Sequence, residues 1–202
     1  AKNILDTMTR RKEGYHKKLA AAVVPGNEIQ RTASIHDLVL AKEPNLLSKL
    51  HYDFYERKSF IDHFLNENTT LQSFASAQYQ EKGDFFNQEY QIRSRQTSPD
   101  MATVKLSRLG KVGYRGEQEM VRIDKNIKFS NNNGTITAYY TLTNNGKNPL
   151  QLWFGVEFNF ALQAGHADDR YYYVKTGKIG DAYLDSSREL PDVQFIGLRD
   201  EW

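Results

Sequence analysis

A chain of 202 residues with 39% hydrophobic and 26% charged residues is long enough to bury a real core, and suits one main domain with an attached segment. Its 27 Lys and Arg against 25 Asp and Glu leave a formal charge of +2, which gives no global field to select nucleic acid or an anionic membrane. Cysteine is absent, which excludes disulfides, thiolate nucleophiles and cysteine metal sites, so any chemistry must be carboxylate, imidazole or hydroxyl chemistry. No run of about 18 apolar residues exists and the N-terminus lacks the apolar core of a secretory signal, so the expectation is a soluble, cytoplasmic chain with no membrane partner. The Asn-X-Thr triplets at Asn68 and Asn133 matter only in a secretory pathway and carry no weight here.

The first third differs from the rest. Ile4, Met8, Tyr15, Leu19 and Val23 recur near the spacing of one helix face, with Lys and Arg between them and Pro25-Gly26 as a stop; this predicts an amphipathic helix over 2–23, weakened by Gly14. Residues 25–50 mix polar and apolar groups around Pro25, Gly26 and Pro44 and read as irregular. After residue 70 the period becomes two. Val104 and Leu106, then Val121, Ile123, Ile127 and Phe129, then Ile136, Ala138, Tyr140 and Leu142, each alternate with polar residues and predict half-buried strands. The turn Asn131–Gly134 separates the second and third rows, and the turn Asn144–Pro149 predicts a hairpin into a long strand with Leu150, Leu152, Phe154, Val156, Phe158, Phe160 and Leu162 on one side. Antiparallel hairpins with few helices give the expected fold class: mainly β, an antiparallel β-sandwich with an N-terminal helical segment. The expected division is 1–66 for the helix and irregular segment packing on the sandwich, and 67–202 for the sandwich.

The face opposite that last apolar row carries Gln151, Trp153, Gly155, Glu157, Asn159 and Gln163, because side chains on a strand alternate sides. A flat aromatic beside amides and a carboxylate suits a sugar, since a ring covers the apolar face of a pyranose while polar groups bond its hydroxyls. Trp153, Glu157 and Asn159 are therefore candidate carbohydrate-binding residues. Tyr139 joins them if the hairpin holds, because it would share that face with Trp153. The competing reading is structural, because antiparallel sheets ordinarily leave one face polar and a Trp there often packs under a loop or another domain.

Other constellations are weaker. His36-Asp37 and Asp62-His63 are adjacent pairs, which on a strand point apart, so neither pair alone forms a metal site or a relay. The loop Gly165–Arg170 lacks the spaced oxygen ligands of a calcium site, and Tyr171, Tyr172 and Tyr173 put aromatics on both faces of one strand, as core plus surface. No phosphate loop, nucleophile elbow or zinc-protease motif is present, so no catalytic residue, metal ligand or cofactor is assigned.

Several ordered stretches together carry a resemblance. Asn3–Thr7, Arg10–Leu19, Ser34–Asp37, Lys42–Pro44, Tyr52-Asp53, Glu56–Leu65, Gly83–Phe85 and Phe154–Asn159 resemble, in that order, the C-terminal region of 4-α-glucanotransferases and α-amylases of glycoside hydrolase family 57. The resemblance covers nearly the whole chain. It implies a galactose-mutarotase-like sandwich, fold analogy alone being no proof of function. It also implies that both carboxylates of the family's retaining mechanism lie on an N-terminal catalytic barrel, so that nothing catalytic transfers to these residues. The implied role is a non-catalytic module that braces the barrel and guides an α-glucan or maltooligosaccharide. Two alternatives stand beside it: a carbohydrate-binding module using the Trp153/Glu157 face, and a mutarotase-like epimerase with Glu157 as base and a histidine as acid. Family members continue with further strands past the equivalent of Trp202, which predicts either a retained C-terminal piece or pairing with a second copy as a homodimer.

Overall fold

A computed structural model describes residues 8–20, 50–160, 162 and 164–201. In chain order the elements are α1 (Gly14–Ala20), β1 (Ile61–Leu65), α2 (Leu71–Ala75), β2 (Gln91–Thr97), β3 (Met101–Tyr114), β4 (Glu117–Ser130), β5 (Ile136–Asn144), β6 (Trp153–Glu157), β7 (Arg170–Val174), β8 (Gly177–Tyr183) and β9 (Ile196–Asp200). All strand pairs among the described residues are antiparallel. They form a four-stranded sheet in the order β2-β3-β4-β5, a two-stranded sheet β1-β6 and a three-stranded sheet β8-β7-β9. The mainly antiparallel fold with few helices is as the alternation predicts.

The helix expected over 2–23 is narrower within the described residues: residues 9–13 are not helical and α1 begins at Gly14. Gly14 thus marks the start of the helix rather than a weak point inside it. The irregular stretch 25–49 and the pair His36-Asp37 lie outside the described residues. Residues 61–65, expected within an irregular attachment, are instead a strand that pairs with β6 in the register Ile61↔Glu157 to Leu65↔Trp153. The five-residue run Ile61–Leu65 was too short to show a period, and only its partner 92 positions away reveals it as a strand.

The longest elements follow from local chemistry. β3 and β4 pair without interruption from Met101↔Ser130 to Tyr114↔Glu117, closed by a two-residue turn, Arg115-Gly116. Both turn residues have positive φ, 50° and 84°, the mirror-image geometry that matches the right-handed twist of the flanking strands. On β4 the residues Val121, Ile123, Lys125 and Ile127 all face inward and are buried. Across the ladder they meet Gly110, Leu106 and Val104 on β3, and Leu142, Tyr140 and Ala138 on β5. Gly110 is required there, because a Cβ would stand 2.6 Å from Cζ of the Phe85 ring.

The core lies between this sheet and β1-β6. Phe64, Phe85, Val112, Val121 and Ile123 are buried, with Tyr90, Tyr140, Leu150, Leu152 and Phe154 packed around them. Phe64 meets Phe85 at 5.1 Å and Phe154 at 5.4 Å between ring centroids, so β1, β6 and the loop at 85 close on the sheet from one side. Each such buried side chain contributes roughly 1.5–3 kcal/mol. Two packed antiparallel layers are the expected sandwich.

Two sequence expectations fail here. The turn at 144–149 does not make a hairpin: β5 pairs with β4, whereas β6 pairs with β1 in the other layer. The turn is held for a crossover instead, with Asn144 Nδ2 donating to Asn148 O at 2.7 Å, Asn145 N to Met120 O at 2.8 Å, and Asn148 Nδ2 to Glu119 Oε1 at 2.9 Å. The long apolar row also breaks. β6 stops at Glu157, and Phe158, Phe160 and Leu162 are exposed rather than buried. The alternation continues in the sequence, but Glu157 and Asn159 are bonded to the segment 55–59, which draws the chain out of the sheet.

In the three-stranded sheet, the tyrosines of β7 divide between its faces by alternation. Tyr171 and Tyr173 share one face, Tyr173 packing on Phe195 at 5.4 Å and Tyr171 donating to Glu201 at 2.7 Å, while Tyr172 on the other reaches Leu184 O at 3.5 Å. In the loop 165–170, Asp168 accepts from Tyr183 at 2.7 Å and Arg170 donates to Asp200 at 3.1 Å.

Candidate functional site

Adjacent residues on β1 point to opposite layers. Asp62 and Phe64 face the four-stranded sheet, while Ile61, His63 and Leu65 face the other way with Glu157, Gly155 and Trp153 of β6. On this second face sits a dense cluster of titratable groups. His63 is 1% exposed and both of its ring nitrogens meet carboxylates, Nδ1 with Glu81 Oε2 at 2.7 Å and Nε2 with Glu157 Oε2 at 2.9 Å. Glu157 is 9% exposed and accepts further bonds from Tyr55 Oη at 2.7 Å, Asn159 Nδ2 at 2.9 Å and Arg57 Nη1 at 3.2 Å.

The network does not end there. Arg57 Nε and Nη2 reach the two oxygens of Asp53 at 2.9 and 3.0 Å, and Asp53 in turn receives the main-chain N–H of Arg10 at 2.8 Å and its Nε at 3.0 Å. The result is a line of alternating charge, Arg10, Asp53, Arg57, Glu157, His63, Glu81, that ties the segment around residue 10 to β1, β6 and the turn after α2. Glu81 completes the far end, accepting from Phe64 N at 2.7 Å and Gly83 N at 3.1 Å. Aromatic rings seal the sides: Phe86 stacks parallel to His63 at 6.5 Å, while Tyr55 and Phe74 flank it at 5.4 and 5.5 Å.

Electrostatics follow this geometry. Burial alone would lower the pKa of His63, but the bonds to Glu157 and Glu81 outweigh it and raise it to about 9, so both nitrogens carry protons and donate. Burial would raise Glu157, yet hydrogen bonds from His63, Tyr55 and Asn159 and the charge of Arg57 hold it below the usual carboxylate range. Asp53 behaves likewise: burial opposes ionisation, and Arg57 and Arg10 hold its carboxyl far down. Tyr55 is pushed up by burial and by the Glu157 charge, so it remains a neutral donor. A doubly protonated imidazole has no free lone pair for a metal ion, and its position between the two carboxylates fills the space a substrate would need.

The sequence-predicted sugar residues are therefore dispersed. Glu157 and Asn159 are buried in the network, Asn159 donating from Nδ2 to Lys58 O at 2.7 Å and accepting at Oδ1 from Arg57 Nη1 at 3.1 Å. Tyr139 lies on the outer face of β5, 54% exposed, under the ammonium of Lys128 at 5.1 Å. Trp153 is 49% exposed at the opposite end of β6 from Glu157, in a different sheet from Tyr139. The expected meeting of Tyr139 with Trp153 does not occur, since it depended on the hairpin. A pairing of Glu157 with a histidine does exist, but the two groups bond each other in an enclosed space rather than facing one sugar. His63 entered the sequence reading only in the pair Asp62-His63, which was set aside, and Glu81, Arg57 and Asp53 were not singled out as site residues. The available signal was Asp62-His63 inside the apolar run Ile61–Leu65, where a charged pair has to find partners on both faces.

Residues 1–202 match the family described as alpha-amylase/4-alpha-glucanotransferase, C-terminal. The chain is 31% identical over 183 residues to a 4-alpha-glucanotransferase of Thermococcus litoralis, a match covering 91% of this chain and 26% of that protein. It is 29% identical over 184 residues to an alpha-amylase of Pyrococcus abyssi, covering 91% and 26%. The crystal structure of the Thermococcus litoralis 4-alpha-glucanotransferase superposes with a TM-score of 0.59 at 27% identity, over 82% of this chain and 22% of that one. The chain spans about a quarter of the length of the curated relatives it matches. Matched along its whole length and sharing the antiparallel fold of a solved relative, the chain belongs to the alpha-amylase/4-alpha-glucanotransferase C-terminal domain family.

Proposed function

We propose that this chain is the non-catalytic sandwich module of a family 57 glycoside hydrolase or transglycosylase acting on α-1,4-glucans, and that it braces the catalytic barrel of that enzyme. The observation that carries the reading is the Glu157–His63–Glu81 arrangement. Retaining glycosidases need two carboxyl groups about 5–5.5 Å apart with a glycosidic bond between them. Here the best-placed buried carboxylates have an imidazolium between them, bonded at 2.7 and 2.9 Å, and they are walled by Tyr55, Phe74 and Phe86. Among the described residues the three side chains are buried and bonded to one another, which leaves no free nucleophile there. What the arrangement supplies is rigidity, because a fully hydrogen-bonded network fixes three chain segments in one geometry.

The exposed pair Phe158 and Phe160, whose rings stack in parallel at 6.3 Å, supports the bracing role, since apolar rings left on the outside of a domain mark a contact surface. The test is an assay of the purified chain with maltoheptaose and amylose. The expected result is no disproportionation and no hydrolysis. Turnover that disappears in Glu157→Gln would overturn the reading and make the network an active site.

A further inference from the structure

Away from the buried network, the tip of the β3–β4 hairpin and the start of β6 enclose an open groove. One part, about 740 Å³, runs past Trp153, Gln151, Leu65, Glu67 and Lys82 to Tyr114 and Arg115. A second part, about 580 Å³, shares Tyr114, Arg115 and Gln151 and continues along Glu117, Glu119 and Asn148. Both volumes are of small-ligand size, and the shared residues place them side by side along one surface channel. We infer that this channel is a binding site for an α-1,4-glucan chain, with Trp153 and Tyr114 as its two aromatic platforms and Gln151, Arg115, Lys82 and Glu67 as its hydroxyl-bonding groups. This rests on reading the chain as part of an α-glucan-processing enzyme.

Three observations carry it. First, Trp153 presents half of its surface to solvent on a strand whose inward neighbours Leu152 and Phe154 are packed in the core, so the ring is displayed on a rigid support. Second, Tyr114 and Arg115 are fixed by the hairpin turn. Arg115 adopts φ 50°, an uncommon conformation for a side-chain-bearing residue, and its guanidinium lies 5.2 Å over the Tyr114 ring. Third, the charges that line the channel are mixed, Lys82 and Arg115 against Glu67, Glu117 and Glu119, so it has no field for a phosphate or a nucleic acid. A neutral polyhydroxylated ligand is what such a surface suits: rings for the apolar faces of successive pyranoses, and donors and acceptors of both kinds for their edges. The polar partners of Trp153 in this site are different from the Glu157 and Asn159 that share its strand face.

The experiment is affinity electrophoresis of the purified protein in native gels containing amylose, with dextran gels as the α-1,6-linked control, alongside maltoheptaose titration followed by tryptophan fluorescence. The chain holds only two tryptophans, so Trp202→Phe leaves Trp153 as the sole reporter. Retardation in amylose but not in dextran is expected, weakened at least tenfold by Trp153→Ala and by Tyr114→Ala, with far-UV circular dichroism unchanged in both. Arg122→Ala on the outer face of β4 should retain full retardation. Absence of retardation for the unmodified protein, retardation unchanged by both aromatic substitutions, or equal retardation in dextran would each overturn the inference. None of these would bear on the absence of turnover, which is the test of the bracing role; conversely, turnover lost in Glu157→Gln together with Trp153-dependent retention would overturn that role and leave the glucan site standing.

Discussion

Strand β1 separates two buried charge clusters by the thickness of one backbone, and they are built differently. On one face His63 uses both nitrogens, and Glu157 accepts from four side chains. On the other, Asp62 faces the four-stranded sheet and pairs with Lys125 Nζ at 2.5 Å, with Tyr90 also donating to the same oxygen. Its second oxygen, Oδ1, is buried without a hydrogen-bond partner among the described residues. Burial pushes Asp62 up and Lys125 down, against their mutual attraction. On the His63 face the hydrogen bonds overcome burial; on the Asp62 face burial wins. The difference teaches that charge content does not decide whether a buried cluster stabilises a fold, because the number of satisfied atoms does.

Lys125 nonetheless has a second task. Its Nζ donates to Phe60 O at 2.8 Å, and Phe60 is held at φ 64°, a strained conformation costing on the order of 1–3 kcal/mol. The residue thus pins the bend that turns the chain into β1.

The sharpest way to break the comparison is to remove one member of the satisfied network. Glu157→Ala leaves the His63 imidazolium and Arg57 without their shared partner in a buried site, and is expected to cost about 3–5 kcal/mol in urea unfolding. A loss below about 1 kcal/mol would show that the network is no more than a decorated surface.

Much of this was readable from the sequence, and the remainder was not for identifiable reasons. The alternation of Val121, Ile123 and Ile127 gave the inner face of β4, and that of Ile136, Ala138, Tyr140 and Leu142 gave β5 as a strand, but Phe129, Ile136 and Leu142 of those rows are exposed rather than buried. Lys125 belongs to the same row but was not legible as part of it, since its partner Asp62 lies on β1, far away in sequence. Alternation likewise put Trp153, Glu157 and Asn159 on one side, but it carries no information on what covers that side. Tyr55, Arg57, Glu81 and Phe86 cover the Glu157 end and leave the Trp153 end open, and all of them come from segments with no strand period. The Asn-rich turn at 144–149 had hairpin composition. Its side chains bond in ways that serve a crossover equally well, and only the pairing of β6 with β1 separates the two.

The second test uses pH. His63 titrates at about 9 when folded against 6.5 when free, so its contribution is complete below about pH 6.5 and lost as pH rises through about 9. Glu157, held below its ordinary 4.5, acts in the opposite sense: its contribution is present above that value and lost as pH falls through the lowered one. Stability should therefore peak between roughly pH 5 and 6.5 and decline by ~3 kcal/mol toward pH 9.5. Urea midpoints in His63→Gln should lack that decline. An equal decline in the variant would assign the titration to another group.

On the opposite face the expected response is smaller. Replacing both members of the under-satisfied pair, Asp62→Leu with Lys125→Met, removes the unpartnered oxygen along with both charges, and stability should stay within about 1 kcal/mol of the unmodified protein. The lost Phe60 bond works against the gain, which is why a net stabilisation is not expected. A loss as large as that of Glu157→Ala would mean that the two clusters are equivalent after all.

The smallest effect is expected at Asp124, which supplies the reference point for both clusters. Arg122 and Asp124 lie on β4 beside Lys125 but on its outer face, paired at 3.1 Å with both side chains more than two-fifths exposed. Water screens this pair and satisfies either partner once the other is gone, so exposed ion pairs contribute only ~0.2–1 kcal/mol. Asp124→Asn keeps the shape and removes the charge, and should shift stability by no more than ~0.5 kcal/mol, with the residual effect vanishing in 1 M salt. Denaturant midpoints at low and high salt measure this directly. A salt-insensitive loss above 1 kcal/mol would show that the outer face of β4 is covered, and that the contrast between buried and exposed charge on this strand has been drawn in the wrong place.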